Sequence, residues 1–323
     1  MAGYAAARER AAFMDRSDRL RMKFSGAQAA ATLNGLLTND VAALTPGTGC
    51  YAAALTAKGK IIADVRVFAR HDDFLMDCSA TAAPGLLAML RKYVNPRLAK
   101  YQDVSAELCA IGVFGPHAAR AVAGAVGGDA ASLAALGLFA HASPADAVQT
   151  LVARVPDLGV LGFDIIAPRD ATDTIVSSLS SGGAAVLDTA SAEVMRVEAG
   201  RPLFGADMDE NVLAQEAGLD GIGAISFDKG CYTGQETVAR VHFRGHVNRT
   251  LRGIVGSDPM LAGAELVGAE GTVVGQIRST VISPSLGPIA LAYVRREVAD
   301  GSAVLVRSSG VDATATVVAL PFM

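Results

Sequence analysis

Apolar and polar positions change rhythm several times along the chain, and each change marks an element. Residues 27–37 (AQAAATLNGLL) are helix formers with an apolar stripe, and Thr38-Asn39-Asp40 followed by Pro46-Gly47 ends that helix and opens a turn. Tyr51–Leu55 and Ile61–Arg70 then run apolar or alternate on either side of Ala57-Lys58-Gly59-Lys60, the pattern of a hairpin with glycine in its turn. A short strand is expected at Phe74–Cys78 and a helix from Pro84. Beyond it the pattern gives strands near Ala110–Phe114, Leu151–Val155 and Gly162–Ala167, with helices from Pro116 and Ala171. Strands that arrive in hairpins among helices predict an α+β arrangement with largely antiparallel sheet.

After Arg252 the texture shifts to short runs rich in valine and isoleucine (Gly253–Val255, Thr272–Ile277, Ile289–Val294, Val304–Arg307, Ala313–Leu320) separated by Gly, Pro, Ser and Asp. That pattern predicts a small all-β barrel or sandwich, so the chain divides into an α+β region at 1–249 and a β unit at 250–323. At 323 residues, 51% apolar and 19% charged, it has the length for more than one core and the composition to bury them. Its apolar runs are too short to cross a bilayer.

A net charge of −4 gives no overall attraction to nucleic acid or anionic lipid. A local basic patch does exist, with Lys229, Arg240, Arg244, Arg249 and Arg252 against Asp228 and Glu236. It lacks interleaved aromatics, so nucleic acid is a weakly supported partner. The four cysteines, Cys50, Cys78, Cys109 and Cys231, are dispersed with no C-x-x-C pair, which argues against a disulfide framework and for a reducing compartment. The N-terminal arginines are accompanied by Glu9, Asp15 and Asp18, so the start reads as mature protein rather than as a targeting peptide. The expected location is the cytoplasm, or the mitochondrial matrix in a eukaryote.

The densest chemistry is Lys229-Gly230-Cys231-Tyr232-Thr233-Gly234-Gln235-Glu236. Thr233 and Glu236 have the spacing of a capping box, predicting a helix from Thr233 through Arg240 with Cys231 just ahead of its N-terminus. The helix dipole and a neighbouring Lys229 would favour a thiolate there, while Gly230 and Gly234 would let a ligand approach the backbone. Cys50, Cys78 and Cys109 have no such surroundings and are read as buried apolar side chains.

This octapeptide resembles the K-G-C-Y-T-G-Q-E signature of the YgfZ-type folate-binding proteins, relatives of the glycine cleavage T-protein. The resemblance continues through Leu33–Val41, Lys58–Asp64, Arg196–Gly200, Leu203–Glu210, Gln215–Leu219 and Arg244–Arg249, in order along most of the chain. It implies aminomethyltransferase-like folate-binding lobes with a terminal β-barrel around a central cavity for tetrahydrofolate. It also implies a role in iron–sulfur cluster assembly or repair, with cluster-assembly proteins or client enzymes as partners and Cys231 as the working thiol. Asp164 matches the acid that grips the pterin and Arg196 an arginine of the same cavity, with Glu198 as a structural neighbour. The signature and its flank further place Lys229, Tyr232, Gln235 and Arg240 at the folate. Asp64 matches the acid near the reacting nitrogen of the T-protein. Ala63 stands where that pattern has a second acid, and Leu75–Ser79 lacks its asparagine, departures that weigh against aminomethyl transfer because they remove positioning groups. A folate-dependent one-carbon transferase, acting on an aminomethyl group or on transfer RNA, is the alternative.

Overall fold

The computed structural model describes residues 2–144, 149–308 and 311–322. Among the described residues the chain forms three sheets. The first lobe is an antiparallel five-stranded sheet in the order Gly49–Leu55, Ile61–Ala69, Phe74–Cys78, Leu20–Ser25, Lys100–Asp103. One face of this sheet carries Ala63, Val65 and Val67, which pack with Leu33, Leu36, Leu86 and Leu90 from the helices Ala29–Leu36 and Ala83–Tyr93. Because strand side chains alternate faces, the intervening Asp64, Arg66 and Phe68 point the other way, toward the second lobe.

That lobe is a six-stranded sheet ordered Ala185–Val186, Ala12–Asp15, Leu108–Phe114, Gly162–Pro168, Leu151–Arg154, His141–Ala142. All its pairs are antiparallel except Ala12–Asp15 with Ala185–Val186. Helices Ala118–Val126 and Thr172–Ser181 cover one face over Ile111, Val113, Phe163 and Ile165. On the other face Ala110, Leu151 and Ile166 meet Phe68 and Leu75 of the first lobe in a shared apolar cluster. The N-terminal segment serves both lobes, Ala12–Asp15 entering the second sheet and Leu20–Ser25 the first. The lobes are therefore interleaved in sequence.

The third sheet is a closed barrel in the order Arg249–Gly256, Gly287–Arg295, Val273–Ser283, Glu265–Val267, Ala303–Ser308, Val311–Val318. Ile254, Leu266, Ile277, Ala292 and Val306 fill its interior, and Leu251, Leu291 and Tyr293 on its outer wall pack against Ala53, Ile61 and Val197 of the lobes. Glu265–Val267, which closes the barrel, is too short to register as a pattern in the sequence.

One local expectation is corrected. The helix after the octapeptide spans Gln235–Arg244, with Gly234 as N-cap at φ 88° and no side-chain cap. The Thr233 amide donates instead to the Gly35 carbonyl (3.1 Å), so the Thr233–Glu236 capping box does not form. Gly234 is needed for two reasons: its backbone is left-handed, and a Cβ there would meet the Thr56 carbonyl oxygen at 2.6 Å.

Candidate functional site

Between the polar face of the first sheet, the second lobe and the helix Thr189–Glu198 lies a cavity of ≈ 210 Å³. Tyr51, Asp64 and Arg66 reach it from the first lobe, Arg16, Phe114, Phe139 and Asp157 from the second, and Glu193 and Arg196 from the helix. Arg19, Arg201, Leu203 and Ile222 complete much of the wall.

The floor is a lattice of buried ion pairs. Arg66 and Asp77 are register partners on adjacent strands. Arg66 Nε donates to Asp77 Oδ1 at 2.7 Å, and Arg66 Nη2 bonds Asp77 Oδ2 as well. Arg19 grips the same carboxylate through Nε (3.2 Å) and Nη2 (3.1 Å). Burial by itself would raise the Asp77 carboxyl, but Arg19 and Arg66 outweigh it and hold the group far below the usual carboxylate range. Arg66 Nη1 also lies 2.7 Å from Asp164 Oδ2, while Arg16 joins Asp164 Oδ1 (3.0 Å) to Asp157 Oδ2 (2.6 Å). Asp157 is likewise pushed up by burial and pulled down further by Arg16, Arg66 and Arg19, to about 2.

Asp64 differs from these acids. Its Oδ2 accepts from the Tyr51 hydroxyl at 3.0 Å, but its Oδ1 is buried with no hydrogen-bond partner. Burial raises its carboxyl, with Arg19 and the Tyr51 hydrogen bond pulling less strongly the other way. Burial and then the Asp64 charge push the Tyr51 phenol well above its ordinary value. A buried carboxylate oxygen without a donor is costly in an empty protein and well placed to receive a ligand N–H.

Arg196 lies on the cavity wall with its guanidinium committed to the protein. It donates to both oxygens of Glu193 (2.8 and 2.6 Å), to Asp207 Oδ2 (2.7 Å), to Ser279 Oγ (2.8 Å) and to the Arg201 carbonyl. Those bonds occupy its donors, so Arg196 fastens the helix to the barrel and to the irregular segment that follows the helix. Arg201 makes no ion pair among the described residues and is the wall cation available to an anion. Glu198 is fully buried, accepting from Tyr4, Arg8 and Ser283 and joining the N-terminal helix Ala2–Glu9 to the barrel.

The other expected site residues are distributed differently. Asp164 is fully buried beneath the cavity, not on its wall, its Oδ1 accepting from Arg16 and its Oδ2 ion-paired with Arg66 without a hydrogen bond. Lys229, Tyr232, Gln235 and Arg240 do not line the cavity either. The Tyr232 ring is in the core with Ala53, Leu55 and Val238, where burial moves its hydroxyl up to about 12, while Arg240 is exposed. The Lys229 ammonium turns inward and donates to the carbonyls of Asn34 (2.6 Å), Leu37 (2.7 Å) and Asn39 (2.8 Å), so its donors serve the end of the helix Ala29–Leu36 rather than the thiol. Cys231 is exposed, and Cys50, Cys78 and Cys109 are buried. Burial pushes the Cys50 and Cys78 thiols up to about 12.

A short relay nevertheless joins cavity and cysteine loop. Asn39 Nδ2 donates to the Tyr51 carbonyl (2.8 Å) and to the Gly223 carbonyl (2.9 Å), and the Asn39 carbonyl receives Lys229. Tyr51, Arg16, Arg19, Arg66, Asp157 and Arg201 escaped the sequence reading as site residues. A signal was present for Arg66 and Asp77, each a charge embedded in an otherwise apolar strand, where a buried charge requires a partner.

Two interleaved α+β lobes closing on a charged cavity, with a β-barrel packed against both, define a GcvT-like fold. Residues 2–229 match the GCVT N-terminal domain and residues 249–323 the glycine cleavage T-protein C-terminal barrel domain, and the chain belongs to this family. It is 30% identical over 330 residues to the aminomethyltransferase of Rubrobacter xylanophilus, covering 99% of this chain and 85% of that protein. To the aminomethyltransferase of Ralstonia nicotianae it is 31% identical over 336 residues, covering 98% and 88%. The crystal structure of glycine cleavage system aminomethyltransferase T from Bartonella henselae superposes with a TM-score of 0.89 at 23% identity, covering 100% of this chain and 89% of that one, a likeness of fold. No described helix is long and apolar enough to cross a membrane.

Proposed function

We propose that this protein is a tetrahydrofolate-binding accessory factor of the YgfZ type that supports iron–sulfur cluster assembly or repair through Cys231. The observation that carries the folate reading is the buried, unpartnered Oδ1 of Asp64 in a cavity walled by arginines and aromatic rings. A reduced pterin presents N–H donors to such an oxygen, and its flat ring suits the space beside Tyr51, Phe114 and Phe139. Arg201 is the cation open to the carboxylates of the folate tail. Asp164, Asp157 and Asp77 hold Arg16, Arg66 and Arg19 in place rather than meeting the ligand. A bound tetrahydrofolate supplies nitrogens that carry one-carbon groups.

Cys231, the exposed thiol of the K-G-C-Y-T-G-Q-E loop, is the group available to a partner. An iron–sulfur cluster takes about four ligands, so one thiol contributes to a cluster only together with donors from another molecule. A second reading, a one-carbon transferase, is favoured by Asp64 itself, a buried acid whose raised carboxyl suits proton transfer, and by the activity for which the relatives are named.

Calorimetric titration with tetrahydrofolate of the wild type, Asp64→Ala, Arg201→Ala and Cys231→Ala tests the reading. Binding lost or weakened at least about tenfold, about 1.4 kcal/mol, in the first two variants and kept in Cys231→Ala is the expected result. Absence of wild-type binding removes the folate reading, and folate-dependent turnover that needs Asp64 but not Cys231 replaces the accessory role with the transferase.

A further inference from the structure

We propose that the outer face of the helix Gln235–Arg244, with the aromatic cluster at its C-terminal end, is a docking surface for the acidic face of a partner protein, which it seats over Cys231. The helix is under-packed, with only Val238 buried, and Phe243 is 67% exposed. Exposed large aromatics at a helix end are normally free to fold back, but here they are held. Phe227, from the loop that carries Cys231, stacks on His242 with ring centroids 3.6 Å apart and planes at 18°, and Phe243 meets His242 edge-on at 4.7 Å. Ring packing therefore presents Phe243 to water in a fixed setting, the arrangement of an interface anchor.

The charge around this anchor selects the partner. Arg240 and Arg244 flank the cluster on the helix, and the amide of Arg296 bonds the Asn248 carbonyl just beyond it. None of the three arginines makes an ion pair among the described residues, whereas Arg249 is already paired with Glu216 and Arg252 with Asp300. Asp228 and Glu236 are the acids of the same segment. Unpaired arginines beside an aromatic anchor, on a chain of net charge −4, match an acidic protein face rather than another surface of mixed charge. Single-stranded nucleic acid fits less well, because Phe227 and His242 occupy one another's faces and leave few rings free to stack bases.

Cys231 falls within the footprint. The four residues from Phe227 span at most about 14 Å when fully extended, and a standard interface of about 800 Å² per partner has a radius of about 16 Å. A protein centred on the aromatic cluster thus covers the thiol. The consequence for Cys231 rests on its proposed role toward a partner, whereas the docking surface stands on the helix itself.

Two synthetic peptides test this on the full chain: one glutamate-rich and one lysine-rich, each with a single cysteine held as a mixed disulfide with thionitrobenzoate. The Cys231 thiolate attacks the peptide sulfur, the protein–peptide disulfide forms, and thionitrobenzoate leaves as a coloured anion. The buried Cys50, Cys78 and Cys109 leave Cys231 as the exposed thiol. Rates are normalised to alkylation by iodoacetamide, which reports intrinsic thiol reactivity. The acidic peptide is expected to react about tenfold faster at low salt, with the advantage collapsing near 1 M, where screening acts within about 3 Å. Phe243→Ala and Arg244→Glu each reduce that advantage by about threefold or more.

Equal rates for the two peptides, or an advantage that survives both substitutions, overturn the proposal. So does protection of Cys231 from iodoacetamide by a single-stranded oligonucleotide, or by self-association of the chain at high concentration, in place of the acidic peptide. Tetrahydrofolate titration of the same preparations separates the two readings: loss of wild-type folate binding removes the folate role and leaves the peptide result to stand or fall alone.

Discussion

Tyr51 donates its hydroxyl proton to Asp64 Oδ2 over 3.0 Å, while the other oxygen of the same carboxylate is buried without a donor. The pair leaves Asp64 half-satisfied on the wall of a cavity where Asp77, Asp157 and Asp164 are ion-paired with arginines. Burial has raised the Asp64 carboxyl, so its contribution to stability is fully present below the ordinary carboxylate range, near pH 4, and is lost as pH rises through the elevated folded value. Asp64→Asn is therefore expected to stabilise the ligand-free protein at pH 7 by about 1–2 kcal/mol while weakening folate binding. Urea midpoints at pH 3.5 and pH 7 read it: a gain at the higher pH alone fits, and destabilisation at pH 7 contradicts the assignment.

Asp77 behaves in the opposite way. Its carboxylate neutralises Arg66 and Arg19, and Asp77→Ala leaves Arg19 without its ion-pair partner and Arg66 with Asp164 and Asp157 alone, a cost of about 3–5 kcal/mol. Equilibrium denaturation measures the loss. If Asp77→Ala unfolds within about 1 kcal/mol of the wild type, the lattice has no structural role.

Asp157 defines an acid window. Its carboxyl is depressed to about 2, so the stability it contributes is present above about pH 4 and is lost as pH falls toward 2. Asp157→Asn should flatten the pH dependence of the urea midpoint across that interval and leave its slope above pH 5 unchanged. An unchanged slope below pH 4 counts against the ion pairs with Arg16 and Arg66.

Lys229 is predicted to act through the backbone. Lys229→Met removes charge-assisted bonds to the Asn34, Leu37 and Asn39 carbonyls and is expected to cost about 2–4 kcal/mol. The freed loop should also expose Cys231 to faster alkylation by a bulky maleimide. A variant of wild-type stability with a slower reacting thiol indicates instead that the ammonium acts on Cys231.

Gly234→Ala should destabilise the chain by at least about 1–2 kcal/mol, since the backbone is left-handed at φ 88° and the new Cβ meets the Thr56 carbonyl oxygen at 2.6 Å. Thermal melting of this variant beside Gly230→Ala, where a Cβ meets nothing within 4 Å, distinguishes the contact from a general loss of chain freedom.

Most of the repetitive structure was legible. The hairpin around Lys58-Gly59-Lys60 forms as Gly49–Leu55 paired with Ile61–Ala69, and the strand Phe74–Cys78 lies where alternation placed it. The shortest pieces were not: Ala185–Val186 and Glu265–Val267 carry too few residues for a period, and the Ala12–Asp15 strand gains its meaning from partners more than ninety residues away. The capping box failed because Thr233 bonds to Gly35 of a distant helix, a competitor invisible to local spacing.

The linear order of residues determined the α+β lobes, the terminal β unit and the singular position of Cys231, because propensity, alternation and motif are local properties of a chain. Only the tertiary structure decided which charges are spent and which are free. Asp164 and Asp64 look alike in sequence, yet one is ion-paired with Arg16 and Arg66 and the other, bonded by the Tyr51 hydroxyl, makes no ion pair among the described residues. Lys229 and Arg201 look equally able to meet an anion, yet one is consumed by three carbonyls and the other faces the cavity unpaired. Buried charges are satisfied by whatever partners folding brings within about 3 Å, and those partners lie far apart in sequence.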